Sequence, residues 1–228
     1  MSTFVLIPGA ASDSWYWHLV TPILEGAGHA VVAVDLPTGD DSAGLAEYTD
    51  ATIAAIGDHE DLIVVAQSMG GLTAPLVADR IPVRLIVLVA AMLPAPGESG
   101  GEWWTNTGQA EADRAFAVEE GRDPDDASEE TTYYHDVPAD VVAAGADHLC
   151  PQSGTPFEKP WPLDAWPDVP TRFLLCRQDR LFPPAFQRRV VQERLGITPD
   201  EMDSGHLPAL AHPEELAARL LAYEADVV

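Results

Sequence analysis

The stretch Leu62-Ile-Val-Val-Ala66-Gln67-Ser68-Met69-Gly70-Gly71-Leu72 stays apolar up to a serine among small residues and then resumes in helical rhythm. It reads as a strand, a sharp turn and a helix. Ala66, two residues before the serine, and Gly70, two after it, add little bulk. The backbone can therefore take the strained turn that lifts a hydroxyl out of a sheet. The usual pattern is Gly-x-Ser-x-Gly; alanine holds the first place here, and its resistance to positive φ makes the turn tight. An ordinary serine N-cap is the competing reading. The position between a β-branched run and an amphipathic helix favours Ser68 as a nucleophile.

Other strand-length apolar runs are Phe4–Ile7, Ala30–Val34, Val83–Val89 and Thr171–Cys176, with a short one near Thr198–Met202. Helical patterns separate them: about Asp13 to Ala27, 44 to 57, Met69 to Asp79, Pro184 to Leu195 and Pro213 to Glu224. Strands that are apolar throughout need both faces covered, which implies a parallel sheet between helices and an α/β protein. From Met92 to Val169 the rhythm changes to glycine, proline, aromatics and an acidic run. Residues 1–91 and 170–228 are expected to form the core and 92–169 an inserted cap. Trp103, Trp104, Tyr133, Tyr134, His135 and Trp161 gather in that insert, either lining an apolar pocket or forming the cap's own small core.

At 228 residues and 46% hydrophobic content the chain suits one domain. Its 37 acidic against 12 basic residues leave a net charge of −25, which would repel nucleic acid and anionic membranes. No run approaches membrane-spanning length, and the first residues lack a basic segment before the fold starts, so a cytoplasmic protein is expected. Cys150 and Cys176 lie far apart and suit reduced thiols, and no Cys/His cluster suggests a metal.

A serine nucleophile needs a base, and a histidine serves best when a carboxylate fixes its tautomer. Asp179 follows the run Thr171–Cys176, and His206 follows the short run near Met202. Ser68, Asp179 and His206 thus each come after a strand, in the chain order nucleophile, acid, base. Asp203 and Asp35 are weaker candidates for the acid, and His212, His135 and His148 for the base. Two backbone donors would complete the site: Met69 N–H, next to the nucleophile, and Ala10 N–H, from the loop Pro8-Gly9-Ala10-Ala11.

Leu6-Ile-Pro-Gly-Ala-Ala, the helix from Trp15 to Leu24, Val89-Ala-Ala-Met-Leu-Pro, Phe182-Pro-Pro-Ala-Phe-Gln-Arg and Gly205-His206-Leu-Pro-Ala-Leu together resemble an α/β-hydrolase family. It is the plant methylesterase and hydroxynitrile lyase group with its small bacterial esterase relatives. Pro8 and Gln67 stand where that group carries histidines, so hydrogen bonds from those side chains are not carried over. The resemblance implies a mostly parallel six-stranded sheet in the order 4-3-5-6-7-8, in the fold's numbering. The lyase branch has a threonine in the first loop and a lysine after the catalytic histidine; Gly9 and Leu207 stand there, which implies an esterase. The implied reaction is cleavage of a small, fairly apolar carboxylic ester, such as a methyl ester, through an acyl-serine. No cofactor is implied, and Trp104, Tyr134, Phe182 and Leu207 would wall the pocket of a monomer or homodimer. The alternatives are a ligand-binding protein on the same scaffold and a lyase.

Overall fold

The strand-length apolar runs form one sheet. In the computed structural model, which describes residues 1–227, the strands are β1 (Thr3–Ile7), β2 (Ala30–Ala33), β3 (Leu62–Gln67), β4 (Leu85–Val89), β5 (Thr171–Cys176) and β6 (Asp200–Met202). Among the described residues they pair in the order β2-β1-β3-β4-β5-β6, and every neighbouring pair is parallel. This is the implied order, with β1 in the place of the fold's third strand. The inner strands β1, β3 and β4 are buried at every position.

Alternate residues of these strands enter different cores. Val5, Ile7, Val64, Ala66, Ile86 and Leu88 face one side, while Phe4, Leu6, Ile63, Val65, Val87 and Val89 face the other. The period of two delivers apolar side chains to both faces, and each large one contributes about 2 kcal/mol of burial. That double burial is why the runs do not alternate with polar residues.

Helices α1 (Thr21–Gly26), α2 (Leu45–Ile56) and α3 (Ala74–Arg80) accompany the first strands. The expected helix over Asp13–Ala27 is not continuous. Ser14–Trp17 form a 3-10 turn, capped by the Asp13 carboxylate on Trp15 N–H, and α1 starts afresh with Pro22 in its first turn. Pro22 cannot donate to the preceding turn and its ring crowds the carbonyl four residues back, which suits a helix start and breaks a helix interior. For the same reason the expected helix from Met69 to Asp79 divides at Pro75 into a 3-10 turn over Ser68–Leu72 and then α3.

Between β4 and β5 lie α4 (Gly100–Thr107), α5 (Gln109–Glu119), α6 (Glu129–Thr132) and α7 (Ala139–Gly145). After β5 come α8 (Pro184–Leu195), α9 (Pro208–Ala211) and α10 (Pro213–Asp226). The segment after β4 is tied down by polar atoms of buried aromatics: Trp103 Nε1–H donates to Leu93 O at 2.9 Å, and Trp161 Nε1–H to Leu72 O at 3.1 Å. Arg194, in the last turn of α8, pairs with the buried Glu98 and donates to Leu93 O at 2.7 Å. Burial pushes the Glu98 carboxyl up, but Arg194 and Asn106 outweigh it and hold it below the usual glutamate range.

Arg194→Met is therefore expected to destabilise the protein by about 3 kcal/mol, because it strands a buried carboxylate. Urea denaturation measures this. A folded value below the unfolded one means that Glu98 adds stability fully above the ordinary glutamate range and loses it as pH falls through the lowered value. The difference between wild type and variant should accordingly shrink in acid.

Candidate active site

The elbow forms where the apolar run ends. Ala66 remains in β3, paired with Ile7 and Leu88, so the left-handed conformation falls on Ser68 itself, at φ +50°. Alanine at the first position is therefore not required to adopt positive φ, contrary to the expectation from the altered motif. A non-glycine residue held there stores about 1–3 kcal/mol, which its surroundings must offset. The turn is closely enclosed: a Cβ on Gly70 would sit 2.9 Å from Pro8 O, and one on Gly71 would run into Met92 O. Ser68 O accepts from Met92 N–H at 2.9 Å.

Asp179 lies three residues past the end of β5 and His206 four past the end of β6, so parallel strands deliver both to the edge where Ser68 stands. His206 Nε2 is 3.0 Å from Ser68 Oγ, and its Nδ1 is 2.8 Å from Asp179 Oδ2. An aspartate partner places the proton on Nδ1 and leaves Nε2 to accept from the serine hydroxyl. Asp179 is fully buried, and its Oδ1 accepts from Leu181 N–H at 2.9 Å and Phe182 N–H at 2.8 Å. This hydrogen-bond network is typical of a catalytic triad.

A cavity of about 560 Å³ opens over Ser68, bordered by Ala10, Met69, Trp104, Tyr134, Leu207 and His206 among others. Phe182 is not on that border. Its ring is buried behind His206, edge-on at 5.1 Å, and packs against Trp103 and Phe186. Its expected place in the pocket wall is corrected: the backbone N–H of Phe182 is engaged by Asp179, which draws the side chain inward. The aromatics of residues 92–169 divide as well. Trp104, Tyr133 and Tyr134 border the cavity, whereas Trp103, Trp161 and His135 do not. Burial, and after it the Asp179 charge, pushes the Tyr133 phenol up, so it remains a hydrogen-bond donor in neutral solution.

Four of the rival residues have other partners. Asp203 pairs with Arg177 on the surface, and Asp35 accepts from Ser14 N–H at 2.7 Å. His212 stands 3.7 Å from Asp136, and His148 stacks on Trp15 with its Nδ1 3.0 Å from Asp13. Two supporting residues, Gln187 and Gln152, escaped the sequence reading, and a third, Gln67, was noted there only as the replacement for a histidine. Gln187 donates to Asp179 Oδ2 at 3.4 Å, Gln67 Nε2 donates to His206 O at 2.9 Å, and Gln152 Oε1 accepts from Ala11 N–H at 3.1 Å. Ala11 has φ +55°, and Cys150 N–H holds its carbonyl at 3.1 Å, so the chain around Cys150–Gln152 fixes the loop beside Ala10. No local signal marks Gln187 or Gln152, whereas Gln67 stands out by its position beside the serine.

Comparison with known proteins agrees with this fold. Residues 4–219 match the profile described as the alpha/beta hydrolase family. Methylesterase 3 of Arabidopsis thaliana is 25% identical over 95% of this chain and 94% of its own length. Methyl jasmonate esterase 1 of Vitis vinifera is 24% identical over 95% and 94%. The solved structure of a pyrethroid hydrolase from Sphingobium faniae JZ-2 superposes with a TM-score of 0.79 at 23% identity, covering 98% of this chain and 97% of that one.

Proposed function

We propose, from the premise that this chain belongs to the alpha/beta hydrolase family, that it hydrolyses a small, fairly apolar carboxylic ester through an acyl-serine intermediate. The observation that carries this reading is the continuous hydrogen-bonded line from Ser68 Oγ through His206 to a buried Asp179. Ser68 Oγ attacks the ester carbonyl as its proton passes to His206 Nε2, and Asp179 stabilises the imidazolium. The N–H groups of Met69 and Ala10 bind the oxyanion, each worth about 3 kcal/mol in the transition state. Collapse breaks the bond to the alcohol, which leaves with the proton from His206. A water molecule then attacks the acyl group, passes its proton to His206 and releases the acid and free Ser68.

Residues 92–169 serve as the cap, and Trp104, Tyr134 and Leu207 make the apolar wall against which the ester rests. Leu207 beside the base favours ester cleavage over the lyase reaction of the lysine-bearing relatives. The similarity to plant methylesterases supports a methyl or similarly small alcohol on a larger acid.

Labelling with a fluorophosphonate, read by intact mass, should add one adduct at Ser68. Stopped-flow mixing with a p-nitrophenyl ester should release a burst of about one equivalent of p-nitrophenol. A folded protein that gives neither adduct nor burst would instead be a binding protein on this scaffold.

A further inference from the structure

The chain between α6 and α7 lies over the loop that carries His206. The Tyr133 ring stands 5.7 Å from the His206 ring. Asp136 Oδ2 accepts from Gly205 N–H at 2.6 Å and faces Ser204 Oγ at 3.3 Å. Such a short bond from a backbone N–H to a carboxylate belongs to the strong, charge-assisted class. The fit is close on the loop side too, since a Cβ on Gly205 would run into Asp136 Oδ1 and approach His135 Nε2 to 2.8 Å. Only glycine admits the carboxylate at this point.

The opposite end of the same two residues is held from the sheet. Gln67 Nε2–H, beside the nucleophile, donates to His206 O at 2.9 Å. The backbone from Gly205 N to His206 O is thus gripped at both ends, by the elbow strand and by the segment inserted after β4. With that backbone fixed, the imidazole has only its own two side-chain torsions with which to meet Ser68 and Asp179 at once.

We propose that Asp136 is a positioning residue that locks the histidine loop, so that Ser68 is activated only when the segment around Tyr133–Val137 is seated. This rests on the reading of Ser68 and His206 as the working pair. It makes Gly205 and Asp136 a functional couple 69 residues apart, and it links closure over the substrate to competence for chemistry.

The test compares Asp136→Ala, Asp136→Asn and Gly205→Ala on p-nitrophenyl butyrate, together with amide hydrogen exchange at Gly205 and His206. Misplacing a reacting group by about 1 Å can cost roughly 100-fold. Asp136→Ala should lose about 10- to 100-fold in kcat with KM nearly unchanged. Asp136→Asn, whose Oδ1 can accept the same N–H, should restore most of the rate. Gly205→Ala, which displaces the carboxylate without removing it, should fall as Asp136→Ala does. Exchange at Gly205 should quicken in Asp136→Ala at an unchanged melting temperature. Wild-type kcat in Asp136→Ala, an effect confined to KM, or an equal loss in Asp136→Asn would each overturn the proposal. Exchange reads the lock even if the wild type turns over no ester, and unaltered exchange in Asp136→Ala would then refute it. Should Asp136→Ala not fold, Asp136→Asn and Gly205→Ala decide: a retained rate in the first with a loss in the second supports the lock, and any other pair overturns it.

Discussion

Replacing Ser68 by alanine is expected to cut ester turnover by a factor on the order of 10⁶ while the protein remains folded. In the proposed mechanism this hydroxyl is the atom that becomes acylated, and it is the oxygen that stands in line with His206 Nε2, at 3.0 Å. The substitution leaves the elbow intact, because alanine meets the same left-handed φ of +50° and the close approaches at Gly70 and Gly71 are unchanged. The structural loss is one hydrogen bond, worth about 1 kcal/mol. Residual acceleration over water, from the backbone donors and binding alone, would persist at about 10³-fold. The check is kcat on a p-nitrophenyl ester beside a melting curve for each protein. Activity within tenfold of wild type would remove Ser68 from the chemistry.

Asp179→Asn should reduce kcat by about 10⁴-fold, for a reason legible in the partners of the carboxylate. Every group facing Asp179 donates: Leu181 N–H and Phe182 N–H to Oδ1, the His206 Nδ1–H and Gln187 Nε2–H to Oδ2. An aspartate accepts all of them, whereas an asparagine must turn an NH₂ toward one side. The two backbone donors keep the amide oxygen, so the NH₂ faces His206 and forces its proton onto Nε2. A histidine in that tautomer cannot accept from Ser68. Asp203→Asn is the matched control: Asp203 is exposed and pairs with Arg177, so its kcat should stay within about twofold of wild type. Steady-state kinetics on the two variants separates the assignments, and a large loss in Asp203→Asn alone would reverse them.

The sheet was legible because its signal is local. Runs such as Leu62–Val65 and Leu85–Val89 are apolar at every position, the pattern that a short strand buried on both faces requires. Helix boundaries were less legible where Pro22 and Pro75 interrupt an apolar periodicity that otherwise runs on. Phe182 shows the limit for the pocket. Its composition suits a pocket wall, but the capture of its backbone N–H by Asp179 sends the ring behind His206, and that competition is invisible without the fold.

The sequence by itself determined the parallel sheet, the elbow and the chain order of Ser68, Asp179 and His206, because each depends on neighbours within a few residues and on strands that start and stop locally. Only the tertiary structure decided which polar atoms hold those groups in place. Asp136 on Gly205, Gln67 on His206 and Gln152 on Ala11 join residues 69, 139 and 141 positions apart. Such pairs leave no periodic trace, since they come into contact only after the sheet has closed and the segment following β4 has folded over its edge.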